Sequence, residues 1–97
     1  MAHFAVVRER APAWDDSRSM REQDRWDAHA AFMDALADER FIILGGPLGD
    51  GERRFLLIFH APSADAIRER LAADPWTPMQ LLRIASIDTW EMLLGDR

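Results

Sequence analysis

At 97 residues the chain has room for one compact domain and none for a two-domain dinucleotide enzyme or a TIM barrel. Its 48% apolar content sets it apart from disordered tails. Its net charge of −5, from 17 acidic and 12 basic side chains, argues against a nucleic-acid module that works by neutralising phosphates. The absence of cysteine removes disulfides, thiol nucleophiles and cysteine-ligated zinc, and the absence of lysine removes Schiff-base chemistry.

No apolar run approaches the about 20 residues of a membrane span. The start, Met1-Ala2-His3-Phe4, lacks the basic-then-apolar order of a signal peptide. Together these features predict a cytoplasmic protein with no membrane or nucleic-acid partner. Residues 1–97 are expected to form a single domain, without repeats or an internal linker.

Residues 3–9 (HFAVVRE) alternate loosely and predict a first strand. Residues 11–21 show no period and contain Pro12, which predicts a long loop. From Arg21 to Arg40, Trp26, His29, Phe32, Met33 and Leu36 recur at helical spacing. Phe41 to Leu44 is short and rich in β-favouring residues, a strand that Gly45-Gly46-Pro47 is expected to end. Asp50-Gly51 marks a turn, after which residues 54–60 alternate with apolar side chains on both faces. Ser63 reads as the N-cap of a second helix with Ile67 and Leu71 on its buried stripe, stopped by Asp74-Pro75. Residues 76–80 read as a connector, Leu81 to Trp90 as the last strand and 91–97 as a tail.

The order β-α-β-β-α-β with right-handed crossovers predicts a ferredoxin-like α+β fold: a four-stranded antiparallel sheet with both helices on one face. Two helices leave the other face bare, yet the third strand is apolar on both sides. A second copy is the economical cover, so a homodimer is expected.

His29 occupies the apolar stripe of the first helix, and Asp74 extends the stripe of the second. On adjacent helices over one sheet face the two can meet. A carboxylate on one ring nitrogen fixes the tautomer and leaves the other nitrogen for proton transfer. The competing account is a buried histidine satisfied by a backbone carbonyl and an Asp-Pro helix stop. Trp14 and Trp76 have no periodic reason to be buried and are candidates for pocket walls, whereas Trp26 and Trp90 read as core. Arg8 either binds an anionic substrate or pairs with nearby acids. Gly46 belongs to a strand end where the backbone turns sharply or approaches a ligand. His3 and His60 read as ordinary strand-end residues, and the three histidines lack metal-ligand spacing.

The segments WDAHAAFMDALADERF, ILGGPL, ADPW (Ala73–Trp76) and LLRIASIDTW, in that order, resemble the YciI-like (YCII-related) family. The resemblance covers nearly the whole chain and rests on the combination of these short segments. It implies a dimeric α/β barrel of two ferredoxin-like subunits packed sheet to sheet, and an active site around a histidine and an aspartate, here His29 and Asp74. It also implies the cofactor-free chemistry of some relatives on hydroxylated aromatic or lactone substrates, including dehydrochlorination. Thr89 stands where many relatives carry proline before the aromatic residue of the last strand.

The function expected is therefore a small cofactor-independent lyase or isomerase without a metal. His29 and Asp74 are its catalytic pair, and Arg8, Trp14, Gly46 and Trp76 are candidate substrate contacts. A non-catalytic small-molecule-binding or regulatory dimer is the alternative. An oxygen-using or haem-binding member of the wider barrel class has no signature in its favour.

Overall fold

Strand β1, Ala2–Arg10, sets the frame: Phe4, Val6 and Arg8 are buried while the residues between them are only partly covered. In a computed structural model that describes residues 1–95, β1 is followed by a 3-10 turn (Met20–Glu22), α1 (Trp26–Asp38) and β2 (Ile42–Leu48). The chain continues through β3 (Arg54–Ala61), α2 (Ala64–Ala72) and β4 (Leu82–Thr89). The sheet order is β2-β3-β1-β4 with every neighbouring pair antiparallel, the ferredoxin-like arrangement. Of the expected tail, residues 96 and 97 lie outside the described residues.

One core cluster fills the space between helices and sheet. It joins Leu36 of α1 with Ile67 and Leu71 of α2 to Phe4, Val6, Leu57 and Phe59, so both helices pack on one sheet face. A second cluster, Trp14, Phe55, Trp76, Leu81 and Leu82, closes one end of that layer. Ala5, Val7, Leu56 and Ile58 project to the opposite face, where Leu44 of the edge strand pairs with Ile58 and is 63% exposed.

Several sequence-based boundaries are corrected. The first helix begins at Trp26 rather than Arg21. Ser19 and Glu22 form a reciprocal capping box around the 3-10 turn, Gln23 is extended, and Arg25 sits at φ 59°, so the chain enters α1 through a break that side-chain periodicity does not register. Gly45-Gly46-Pro47 does not end β2 but runs inside it, paired with Leu57, Leu56 and Phe55. Proline is tolerated there because β2 is an edge strand. Trp90 lies past the end of β4 and is 44% exposed, since the register carries the sheet only to Thr89. The second helix follows expectation: Ser63 accepts the Ala66 N–H at 3.1 Å as its N-cap.

The glycines of β2 differ in what they permit. A methyl group at the exposed Gly45 would lie 2.5 Å from Cδ2 of the core residue Leu57, whereas at Gly46 it would meet nothing within 4 Å among the described residues. Gly45→Val is therefore expected to lower unfolding free energy by about 1–3 kcal/mol through overpacking. Gly46→Ala should stay within about 0.5 kcal/mol of the parent in urea titrations.

Candidate active site

The site forms where β1, α1 and the connector after α2 converge. Helical spacing from Phe32, Met33 and Leu36 turns His29 inward, and strand alternation from Phe4 and Val6 turns Arg8 the same way. After Ala72 the chain leaves α2 through one more turn, with the Asp74 N–H donating to the Leu71 carbonyl. This directs the Asp74 carboxylate between the other two side chains.

Asp74 is fully buried and receives donors from three directions. His29 Nδ1 lies 2.9 Å from Oδ2 and 3.0 Å from Oδ1. Arg8 Nη1 donates to Oδ2 at 2.8 Å, and the Trp76 backbone N–H donates to Oδ1 at 2.9 Å. Arg8 Nη2 donates to Thr77 Oγ1, whose own hydroxyl donates to the Leu71 carbonyl. Burial by itself pushes the Asp74 carboxyl up. The hydrogen bonds from His29 and Arg8, charge on His29 and the Trp76 N–H outweigh burial and hold it below its ordinary value of 3.8.

An ionised Asp74 accepts only, so the Nδ1 of His29 is the ring nitrogen that donates to it, which leaves Nε2 as the atom available for proton exchange. Nε2 has no protein partner among the described residues, and His29 lines a cleft of about 290 Å³. A carboxylate-bound imidazole with a free second nitrogen is an arrangement able to transfer protons. The cleft lies between α1 and β2, with Trp26, Met33, Ile42, Gly45, Gly46 and Pro47 among its walls and Asp34 as its exposed carboxylate. Among the described residues no three histidine, aspartate or glutamate side chains come together as a metal-ligating group.

The structure brings His29, Asp74 and Arg8 together and places Gly46 on the cleft wall. Arg8 borders the cleft, but its terminal nitrogens are committed to Asp74 and Thr77. Trp76 is fully buried, which corrects the expectation that it has no reason to be. Its ring stacks on His29 with centroids 3.8 Å apart and planes 5° from parallel, and its Nε1–H donates to the Asp24 carbonyl at 2.7 Å. Trp14 is likewise buried, edge-on to Trp76, and neither ring lines the cleft. Both are held by tertiary packing of the loops, for which sequence periodicity gives no signal. Trp26, expected to be plain core, is the tryptophan that borders the cleft. Its place on the His29 stripe, three residues ahead, was the available clue.

No family model and no curated protein matches the chain. Among solved structures it is similar to 5-chloro-2-hydroxyhydroquinone dehydrochlorinase (TftG) from Burkholderia phenoliruptrix AC1100, in complex with 2,5-dihydroxybenzoquinone. The TM-score is 0.64 at 25% sequence identity, over 96% of this chain and 95% of that one. The likeness places the subunit fold in the dimeric α/β barrel superfamily.

Asp74→Asn leaves the Arg8 guanidinium buried without its counter-charge and is expected to cost about 3–5 kcal/mol in denaturant unfolding. The pH dependence has a definite sign. Because the folded state holds the Asp74 carboxyl below 3.8, its contribution is complete above the unfolded value and is lost as pH falls through the folded one. Asp15, Glu22 and Glu39 are also lowered, by hydrogen bonds to Ser17, Ser19 and Arg70, and tilt both proteins alike. Stability curves below about pH 4 should therefore be shallower for Asp74→Asn than for the parent.

Proposed function

We propose that the chain is a YciI-like, cofactor-independent enzyme that moves a proton on a small cyclic, hydroxylated substrate, with His29 carrying the proton and Asp74 positioning it. The observation that carries this reading is the His29 ring, tied through Nδ1 to an ionised carboxylate and unpartnered at Nε2 on the wall of a mostly apolar cleft. The similarity to a dehydrochlorinase bound to a dihydroxybenzoquinone supports a flat oxygenated ring as the substrate class.

In the proposed reaction Nε2 takes a proton from a ring hydroxyl, and the electron pair left on oxygen moves into the ring as an enolate. The imidazolium returns that proton to a ring carbon, which completes an isomerisation with nothing left over. Where that carbon bears a halide, the regenerated Nε2 takes the proton of a second ring hydroxyl, the electron pair freed on oxygen forms a carbonyl through the ring, the halide leaves with its bonding pair, and Nε2 passes the proton to water. The net change is then loss of HX. Asp74 holds the ring tautomer throughout, and Arg8 keeps Asp74 ionised.

Turnover is tested with a panel of chlorinated and unchlorinated hydroxyhydroquinones, following ring absorbance and released halide. His29→Gln is close in size and can still donate to Asp74, so it should keep the thermal midpoint near the parent value. It should lower kcat by about 10²–10⁴-fold. Equal turnover in the variant, or ligand binding without turnover by the parent, contradicts the proposal.

The same proposal includes a cytoplasmic homodimer. No described helix is long and apolar enough to cross a membrane. The sheet face opposite the helical layer carries the exposed Leu44 and the partly covered Leu56, and offers an apolar surface to a second sheet. Sizing chromatography with light scattering should give twice the 11.1 kDa of one chain, and a monomer at micromolar protein would remove the dimer from the proposal.

A further inference from the structure

A second cleft lies between α2, β4 and the loop after β1, and it shares Arg8 with the first. It encloses about 380 Å³, within the usual range for small-molecule sites. Its charged lining is Arg8, Arg68 and Arg83, with no carboxylate among the lining residues, and Leu71 and Ile84 supply apolar wall beside the Gln80 amide. Three guanidinium groups thus gather around one concavity, each paired with a carboxylate that lies outside its lining.

Arg8 gives the cleft its focus. The side chain is 2% exposed, its Nη1 and Nη2 serve Asp74 and Thr77, and its buried Nε–H has no acceptor among the described residues. A buried donor left unmatched costs about 1–3 kcal/mol. Arg68 and Arg83 pair with Asp65 and Glu9, but their side chains are more than half exposed, so these pairs exchange readily with another anion.

We propose that this cleft binds a small monocarboxylate with an apolar body, such as an aromatic acid. Its carboxylate is held by Arg68 and Arg83 at the rim and directed toward the Arg8 Nε–H, and its body lies on Leu71 and Ile84. Guanidinium groups match a planar carboxylate, and the apolar wall favours a ligand with a ring over a bare inorganic anion. Because Arg8 also holds Asp74, a bound carboxylate competes for the guanidinium that supports the dyad, and the two clefts are linked through one side chain. The proposal does not depend on the dyad being catalytic.

The experiment is an amide NMR titration of the intact protein with benzoate, and with acetate for comparison, to about 10 mM. Saturable shifts at Leu71, Gln80, Arg83 and Ile84, with benzoate tighter than acetate, are expected. The double variant Arg68→Ala, Arg83→Ala should weaken benzoate about tenfold, as expected for the loss of a charge-assisted hydrogen bond, whereas Arg53→Ala should not. Both variants change only exposed side chains and should keep the parent spectrum elsewhere. The inference is overturned by absence of saturation, by shifts confined to Met33, Gly45 and Gly46 of the first cleft, or by equal affinity in the double variant.

Discussion

The Asp74 carboxylate is the point on which the structure turns. It is wholly removed from water, and an isolated carboxylate cannot stay charged in such a place. Three donors from different parts of the chain resolve the conflict: a guanidinium from β1, an imidazole from α1 and the N–H of Trp76 two residues on. The contacts span 66 and 45 residues of sequence, so one side chain fastens the first strand, the first helix and the end of the second helix to each other. Replacing such a cluster with apolar groups is often neutral or stabilising in proteins, so its retention here makes more sense for the orientation it imposes than for stability.

Around this carboxylate the aromatic residues divide the molecule into a supporting side and a reactive side. Trp76 lies flat against His29, Trp14 braces Trp76 edge-on, and Phe55 stands behind Trp14. These rings belong to the second core cluster and fix the plane of the imidazole from the protein interior. Trp26 approaches the same imidazole at 5.8 Å but faces the cleft, so the histidine sits between a packed wall and an open one. In the proposed role His29 needs a fixed ring plane, and the stacked Trp76 with Trp14 behind it supplies that support from the interior.

What could be read in the sequence follows from periodicity. The inward direction of His29 and the location of Asp74 at the end of a stripe were visible because helical spacing is a local property. So was the inward direction of Arg8, had the alternation Phe4, Val6, Arg8 been extended one step further, but its target was 66 residues away and left no local trace. The fold class and strand order followed from element order alone. Most of the failures share one cause. The passage of Gly45-Gly46-Pro47 through β2 and the burial of Trp14 and Trp76 are settled by tertiary contacts, an edge position that tolerates proline and ring packing between loops, whereas the late start of α1 is local: the Ser19–Glu22 capping box and the left-handed Arg25 interrupt a stripe whose spacing continues across them. Trp90 failed in the opposite sense, because an apolar residue just past the strand lost its place when the β1 register ended at Thr89.

The site's charge arrangement bears on the direction of proton flow in the proposed reaction. Before a proton arrives, Asp74 and Arg8 balance one another and the imidazole is the neutral member of the group. Charge that then reaches the ring is met by the carboxylate at the Nδ1 edge and by the indole of Trp76 across its face, while Arg8 stands on the far side of the carboxylate. The guanidinium thus acts on the ring through Asp74: it helps keep the carboxylate ionised, which makes it available to orient the imidazole. A base that held its proton too firmly would not return it, and one without an ionised partner would not be oriented to take it. Asp74, held ionised by Arg8, keeps the ring oriented before and after proton transfer, which the proposed reaction requires of a group that both accepts and delivers the same proton.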